Sequence, residues 1–333
     1  MLPSVNINLN ISSDSLGIAK LIDTLAEGVG ALYAPIHIRR KGKAEAERIQ
    51  YMAEVSRNNL DIPFRYEQDG LTVSTDKEFA ELAQRTILRN LAREMNKQLN
   101  IENVVSCARD ILEHEQEVSK EPVSQTWLSN FFEAVGYVEE EDLQKIWGKL
   151  LAGEIKQPKS YSLRTLNTLK NMTSNEAKIF QSLSSFIIMS EGKGFLLNDN
   201  KLHEKYDIEY ENILLLDDCG LINSQGETNC VFPFKPKSIE QLYNNNCLAE
   251  LHKKIDIDTN VQFDAYPLTS AGIELFNIVS KDSNSKFFKD VIKQIEHNNK
   301  NISALIYKKE LITGKDGKMI EHFDFQHPIY PEK

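Results

Sequence analysis

Cysteine is scarce in this chain, and its placement suggests no chemistry. Cys107, Cys219, Cys230 and Cys247 form no CxxC pair and have no histidines at zinc-finger spacing. Four cysteines in 333 residues speak against a disulfide scaffold and for a reducing cytoplasm. Long apolar runs are missing as well. The best candidate, within residues 16–34, is interrupted by Lys20, Asp23 and Glu27, well short of the ~20 apolar residues that span a bilayer. The opening MLPSVNINLNISSDS has neither the basic start nor the apolar core of a secretion signal. Phosphate-cradling glycine patterns are absent: Gly28-Val29-Gly30 has no preceding strand and no third glycine, and GKDGK lacks Walker spacing. No HExxH, GxSxG or Cys–His arrangement occurs, and the seven histidines are scattered, with His322 and His327 lying around a β-prone run. Positive charge is in deficit, 39 Lys and Arg against 49 Asp and Glu, for a formal net charge of -10. That balance argues against a protein coated in nucleic acid and leaves room for a local basic patch. No catalytic, cofactor-binding or metal-binding residue is assigned on these grounds, and the reading leans away from an enzyme.

What the chain has is amphipathic helix. Its 41% hydrophobic and 26% charged residues suit a soluble globular protein of two or three domains. Ser12-Ser13-Asp14-Ser15 offers helix caps, and Ile18, Leu21, Ile22, Leu25, Val29 and Leu32 follow at helical spacing up to a break at Pro35. Gly17 and Gly28 weaken that helix but permit close approach of another. Residues 58–70 read as a connection. Thr75 and Glu78 form a capping box for a helix carrying Phe79, Leu82, Ile87, Leu91, Met95 and Leu99 to about Asn100, and a separate helical stretch holds Val104, Val105, Ile111 and Leu112.

The densest block spans residues 121–180. One helix carries Trp127, Leu128, Phe131, Phe132 and Val135, and a second carries Leu143, Ile146, Trp147, Leu150, Leu151 and Ile155. Their short connection predicts antiparallel packing of the two. The run Glu139-Glu140-Glu141-Asp142 fits a helix start, where acids complement the macrodipole. Pro158 ends the second helix. Leu163, Leu166 and Leu169 mark a third, and Thr173 with Glu176 caps a fourth bearing Ile179, Phe180, Leu183, Phe186 and Ile187. Past Gly192, short helices alternate with β-prone runs CVFPF, NVQFDAYPL, NISALIYKKELI and KMIEHFDF, the last two joined by a hairpin turn at 314–317. The succession of short helices, ILLLDDCGLI and GETNCVFPF suggests a winged-helix-like unit. The expected fold is therefore mainly α with an α+β C-terminal part: a helical region over 1–70, a helical bundle over 71–173 and a winged-helix-like domain over 174–333.

These residues resemble the bacterial family known as domain of unknown function 2806. The likeness rests on LIDTLAEGVGALYAPIHIRRKGKAEAERI, on DLQKIWGKLLAGEIKQPKSYSLRTLNTLKNMTSNEAKIF, and on the compatible LLLDDCGLI and LTSAGIELFNIV. The middle block is also similar, more loosely, to abortive-infection alpha proteins, a phage-resistance family. The resemblance implies a cytoplasmic bacterial protein associated with defence or mobile elements, and carries no catalytic residue across.

Two basic clusters are candidates for binding a polyanion or an acidic partner. Arg85, Arg89, Arg93 and Lys97 recur at i+4, forming a stripe along one helix, and Arg39, Arg40, Lys41 and Lys43 lie in sequence. A solvated helix face explains the same spacing. Residues 16–43 would suit peripheral contact with an anionic membrane, but an ordinary core or subunit-facing helix is the favoured reading of the same pattern. Trp127, Trp147, Phe131 and Phe132 read as core. The partner expected first is a protein or a second copy of the chain. Nucleic acid is the alternative, read by a helix near 209–218, although Glu209, Glu211, Asp217 and Asp218 would repel phosphates there.

Overall fold

A single 36-residue helix organises the first part of the molecule. The computed structural model describes residues 16–29, 64–67, 70–73, 77–113, 115, 117–224, 229–234, 239–254, 259–279, 283–313 and 319–331. They fall into two compact units, Met1–Ser160 and Tyr161–Lys333.

The first unit contains α1 (Leu16–Val29), the strands β1 (Phe64–Glu67) and β2 (Gly70–Val73), α2 (Lys77–Leu112), α3 (Gln125–Val135) and α4 (Glu141–Lys156). β1 and β2 pair antiparallel, Phe64 opposite Val73, where the sequence suggested only a connection. α2 runs through Asn100 instead of stopping there. The reason is tertiary: Asn100 is buried, its amide donates to the Gly136 carbonyl at 3.0 Å, and its oxygen accepts from Gln144 at 3.5 Å. A polar side chain satisfied across a helix contact has no need to break its own helix. The caps expected at Ser12–Ser15 and at Thr75 lie outside the described residues.

Trp127, Leu128, Phe131, Phe132 and Val135 of α3 and Leu143, Trp147, Leu150, Leu151 and Ile155 of α4 are buried. Trp127 stacks on Phe131 at 5.0 Å, and Phe131 meets Trp147 edge-on at 5.4 Å. The main partner of α4 is nevertheless α2 and not the expected α3. Gly148 allows this, since a Cβ there would stand 2.4 Å from the Cβ of Cys107. Gly17 does the same for α1, where a Cβ would meet the Leu112 carbonyl at 2.6 Å. α1 packs on α2, α3 and α4, with Leu21 and Thr24 buried and Lys20 donating to the carbonyls of Ser119 and Glu121. Beyond α4 the chain turns through Lys159 at φ 72°, where its N–H donates to buried Glu154 at 2.6 Å.

The second unit opens with α5 (Leu163–Asn171) and α6 (Ser174–Ser184). The Thr173–Glu176 capping box is present in both directions, at 2.6 and 3.2 Å. α6 ends before Phe186 and Ile187, although their spacing continues its apolar face, and the β-branched run that follows enters β3 (Ile188–Ser190). There follow β4 (Lys193–Leu197), α7 (Asn200–Lys205), α8 (Tyr210–Asp218), β5 (Asn229–Phe234), β6 (Glu240–Tyr243), β7 (Cys247–Lys253), β8 (Thr259–Pro267), α9 (Ser270–Val279), α10 (Ser285–Asn298), β9 (Ile302–Thr313) and β10 (Met319–Phe323). Eight strands form one antiparallel sheet in the order β10-β9-β7-β6-β3-β4-β8-β5. β9 and β10 pair as the expected hairpin, Thr313 opposite Met319, and the turn itself lies outside the described residues. α10 covers part of the sheet with Phe287, Phe288, Val291, Ile292 and Ile295, against β7, β8 and β9. α9 packs on α5 and α6, and its Glu274 accepts from the Ser162 N–H at 2.7 Å and the Thr165 hydroxyl at 2.5 Å, fixing the start of α5. The chain is thus an α+β mixture, helical first and sheet-based second. Among the described residues no helix is long and apolar enough to cross a membrane.

Candidate functional site

In the second unit the turn from α7 to α8 is closed by local contacts. Asp199 caps α7 by accepting from the Leu202 N–H at 3.0 Å. Asp207 then adopts φ 55°, a left-handed conformation that Asp tolerates better than most residues, and the Ile208 N–H closes onto the His203 carbonyl at 2.9 Å. Buried Ile208 plugs the turn. Tyr206 and Lys205 anchor it from outside, both donating to Asp290 on α10 at 2.6 Å, while the Tyr206 ring sits edge-on to Phe287 at 5.2 Å. Burial works to raise the Asp290 pKa, but the hydrogen bonds from Lys205 and Tyr206 outweigh it and hold the carboxyl below its ordinary 3.8. Burial and the hydrogen bond to Asp290 push the Tyr206 phenol well above its usual range.

The far end of α8 is fixed as firmly. Gly220 takes φ 72° after α8, and the Thr269 hydroxyl donates to its carbonyl at 2.6 Å. The same hydroxyl accepts from the Gly272 N–H at 3.0 Å, so one side chain both caps α9 and staples the end of α8. Gly272 is obligatory at this contact, because a Cβ would stand 2.0 Å from the Leu221 carbonyl oxygen.

At the α7–α8 corner lies a cleft of about 540 Å³, lined by residues that include His203, Glu204, Asp207, Glu209, Tyr210 and Tyr266. α8 buries Ile213 and Leu216 and presents Glu209, Tyr210, Glu211 and Asp218 to solvent at its two ends.

The basic residues singled out from sequence lie elsewhere. Arg85, Arg89 and Arg93 are exposed on α2. Lys97 is half-buried: it donates to Glu94 at 2.8 Å and stands 5.0 Å from the centre of the Tyr137 ring. Arg93 also approaches Glu94, at 3.6 Å. Arg39, Arg40, Lys41 and Lys43 lie outside the described residues. His327 bonds Asp324 at 2.8 Å, and no group of His, Cys, Asp and Glu able to hold a metal ion occurs among the described residues. Burial raises the pKa of the Cys107 and Cys247 thiols, and burial with Glu176 pushes Cys219 up to about 11. All three are thus poor nucleophiles at neutral pH.

A family profile described as protein of unknown function (DUF2806) matches residues 84–292, more than half of the chain. The chain belongs to this family. The DUF2806 match takes in the middle block, α8 and the LTSAGIELFNIV run, whose Thr269 and Gly272 are the staple just described. The basic segment 39–43 lies outside the match, while the α2 stripe and the α7–α8 corner lie within it. No curated protein and no solved structure matches the chain.

The sequence signalled the acids of α8 but not the cleft. His203 and Tyr266 come from different elements, and nothing in the pattern around NVQFDAYPL distinguishes Tyr266 from a strand residue turned into a core.

Proposed function

We propose that this DUF2806 protein acts by binding other proteins and not by catalysing a reaction, and that its second unit is a winged-helix-like module turned to protein contact. The winged reading is supported by element order. α6, the β3–β4 hairpin, α7, α8, β5 and β8 occur in that order, a helix, a hairpin, two helices and two strands, with β8 pairing between β4 and β5. β6 and β7 are inserted where a wing would lie.

The observation that carries the function is the surface of α8. In the winged reading it corresponds to the helix that would enter the major groove. Its exposed ends carry Glu209, Glu211 and Asp218, and carboxylates at a phosphate backbone oppose the electrostatic attraction on which DNA affinity rests. Self-association through helices is a further part of the reading, supported by Leu82, which is 52% exposed on α2, and by half-buried Ile87, Leu91 and Met95 beyond it. A cytoplasmic place in bacterial phage defence is the last part of this proposal and rests only on the resemblance read in the middle block.

The rival reading is a DNA-binding regulator, which exposed Arg85, Arg89 and Arg93 favour. A gel-shift titration of duplex DNA at several salt concentrations separates the two. Binding that stays weak across the whole salt series supports protein contact. Tight, salt-sensitive binding lost in α8 variants establishes the regulator.

A further inference from the structure

The α7–α8 cleft holds more unpartnered polar groups than the fold requires. Tyr266 is 8% exposed and His203 7%, yet both line the cleft. The backbone of Tyr266 belongs to the β4–β8 ladder, opposite Leu196. Its phenol oxygen has no hydrogen-bond partner among the described residues and is not sealed from solvent. The small accessible part of this side chain therefore faces the cleft. His203 Nε2 lies 2.7 Å from the Leu197 carbonyl. A carbonyl can only accept, so Nε2 carries the hydrogen, and in the neutral ring Nδ1 is left as an acceptor.

The rim adds charge of one sign. Glu204, Asp207 and Glu209 are exposed, and none of their carboxylates has an ion-pair or hydrogen-bond partner among the described residues. Tyr210, 51% exposed, lies near enough to Tyr266 to influence its phenol, so two aromatic rings border the same space. Every ionised group at the rim is an acceptor, the free ring nitrogen accepts, and a phenol can turn to accept. A complementary ligand must bring positive charge and N–H donors. Its hydrocarbon part would lie against aromatic faces, which attract cations. A cleft of about 540 Å³ admits a chain bearing such a group, within the ~300–1,000 Å³ usual for small-ligand sites.

We propose that the α7–α8 cleft binds an ammonium or guanidinium group, carried by a small polyamine or by a basic side chain of a protein. The rim carboxylates attract the charge, Tyr210 and Tyr266 flank the carrier chain, and the Tyr266 oxygen with His203 Nδ1 receives N–H donors. The site requires neither the winged-helix reading nor a role in defence.

Calorimetric titration of the full chain with spermidine, N-acetylargininamide and neutral sorbitol tests this. The wild type is expected to bind at least one of the two cations and not sorbitol. Tyr266→Phe removes an oxygen that no group among the described residues uses, so its melting temperature should hold while affinity falls about fivefold, the value of one hydrogen bond. Glu204→Gln/Glu209→Gln, on the exposed rim, should lower affinity about tenfold and weaken its salt dependence. Preference for spermidine supports a free polyamine as the ligand, and preference for N-acetylargininamide supports a protein side chain. Sorbitol binding equal to the cations, no heat from either cation at millimolar concentration, or unchanged affinity in both variants overturns the proposal.

Discussion

The basic stripe of α2 and the acidic corner between α7 and α8 are both charged surfaces, but they are built differently. On α2 the charges follow from spacing within one helix. Arg85, Arg89 and Arg93 stand in solvent, and Lys97 is already engaged by Glu94 and Tyr137. A convex stripe of this kind attracts a polyanion at its surface and discriminates little. At the corner, side chains from α7, α8 and β8 converge on a concave space, and carboxylates with no partner among the described residues stand over buried polar groups. Spacing along one element makes a charged face. A receptor requires residues brought from separate elements and held there.

The comparison is broken most severely by attacking what holds the corner. Gly272→Val drives a side chain into the Leu221 backbone, which has no flexible end to yield. It should cost about 3 kcal/mol in urea unfolding and abolish cation binding at the cleft. The counterpart on α2, Leu82→Glu at a residue 52% exposed, should stay within about 0.5 kcal/mol. A Gly272→Val protein of wild-type stability would mean that α8 is not pinned at this contact.

A smaller effect is expected at the outer anchor. Tyr206→Phe removes one of the two donors to Asp290, at a cost of about 1 kcal/mol at neutral pH. In the wild type the Asp290 pKa lies below its ordinary 3.8, so its stabilisation is complete above that value and lost as pH falls through the lower folded-state value. The variant returns the folded pKa toward 3.8. The stability gap between the two proteins should therefore hold at pH 6 and narrow below about pH 4. Urea titrations across that range that show a constant gap would remove Asp290 as the cause.

The smallest structural effect belongs to the stripe. Arg85→Glu/Arg89→Glu should leave the melting temperature unchanged and weaken binding to a polyanion such as heparin, with a shallower salt slope. Unchanged, salt-insensitive binding in this double variant would mean the stripe is only a solvated helix face.

Much of the helical part was legible because the signals were local. Trp127, Phe131, Trp147 and Leu150 recur at helical spacing and are buried, and Thr173 with Glu176 forms the capping box its spacing announces. What failed to show depended on distant partners. Asn100 resembles a helix stop until its amide is seen to bond Gly136, and Gly148 resembles a weak point until Cys107 is placed against it. β3 and β6 are short and meet only at Met189 and Tyr243, far apart in sequence, so neither strand is marked by its own residues. The candidate site divides in the same way. Glu209 and Glu211 were visible as acids on a helix. Tyr266 acquires its meaning only when β8 brings it beside His203.

Hydrogen–deuterium exchange of the full chain with and without spermidine tests most directly the claim that the corner, and not the stripe, is a receptor. Protection is predicted in peptides covering 199–211 and 262–268, with no change over 85–97. Unchanged exchange at the corner under saturating spermidine, or protection confined to α2, would contradict it.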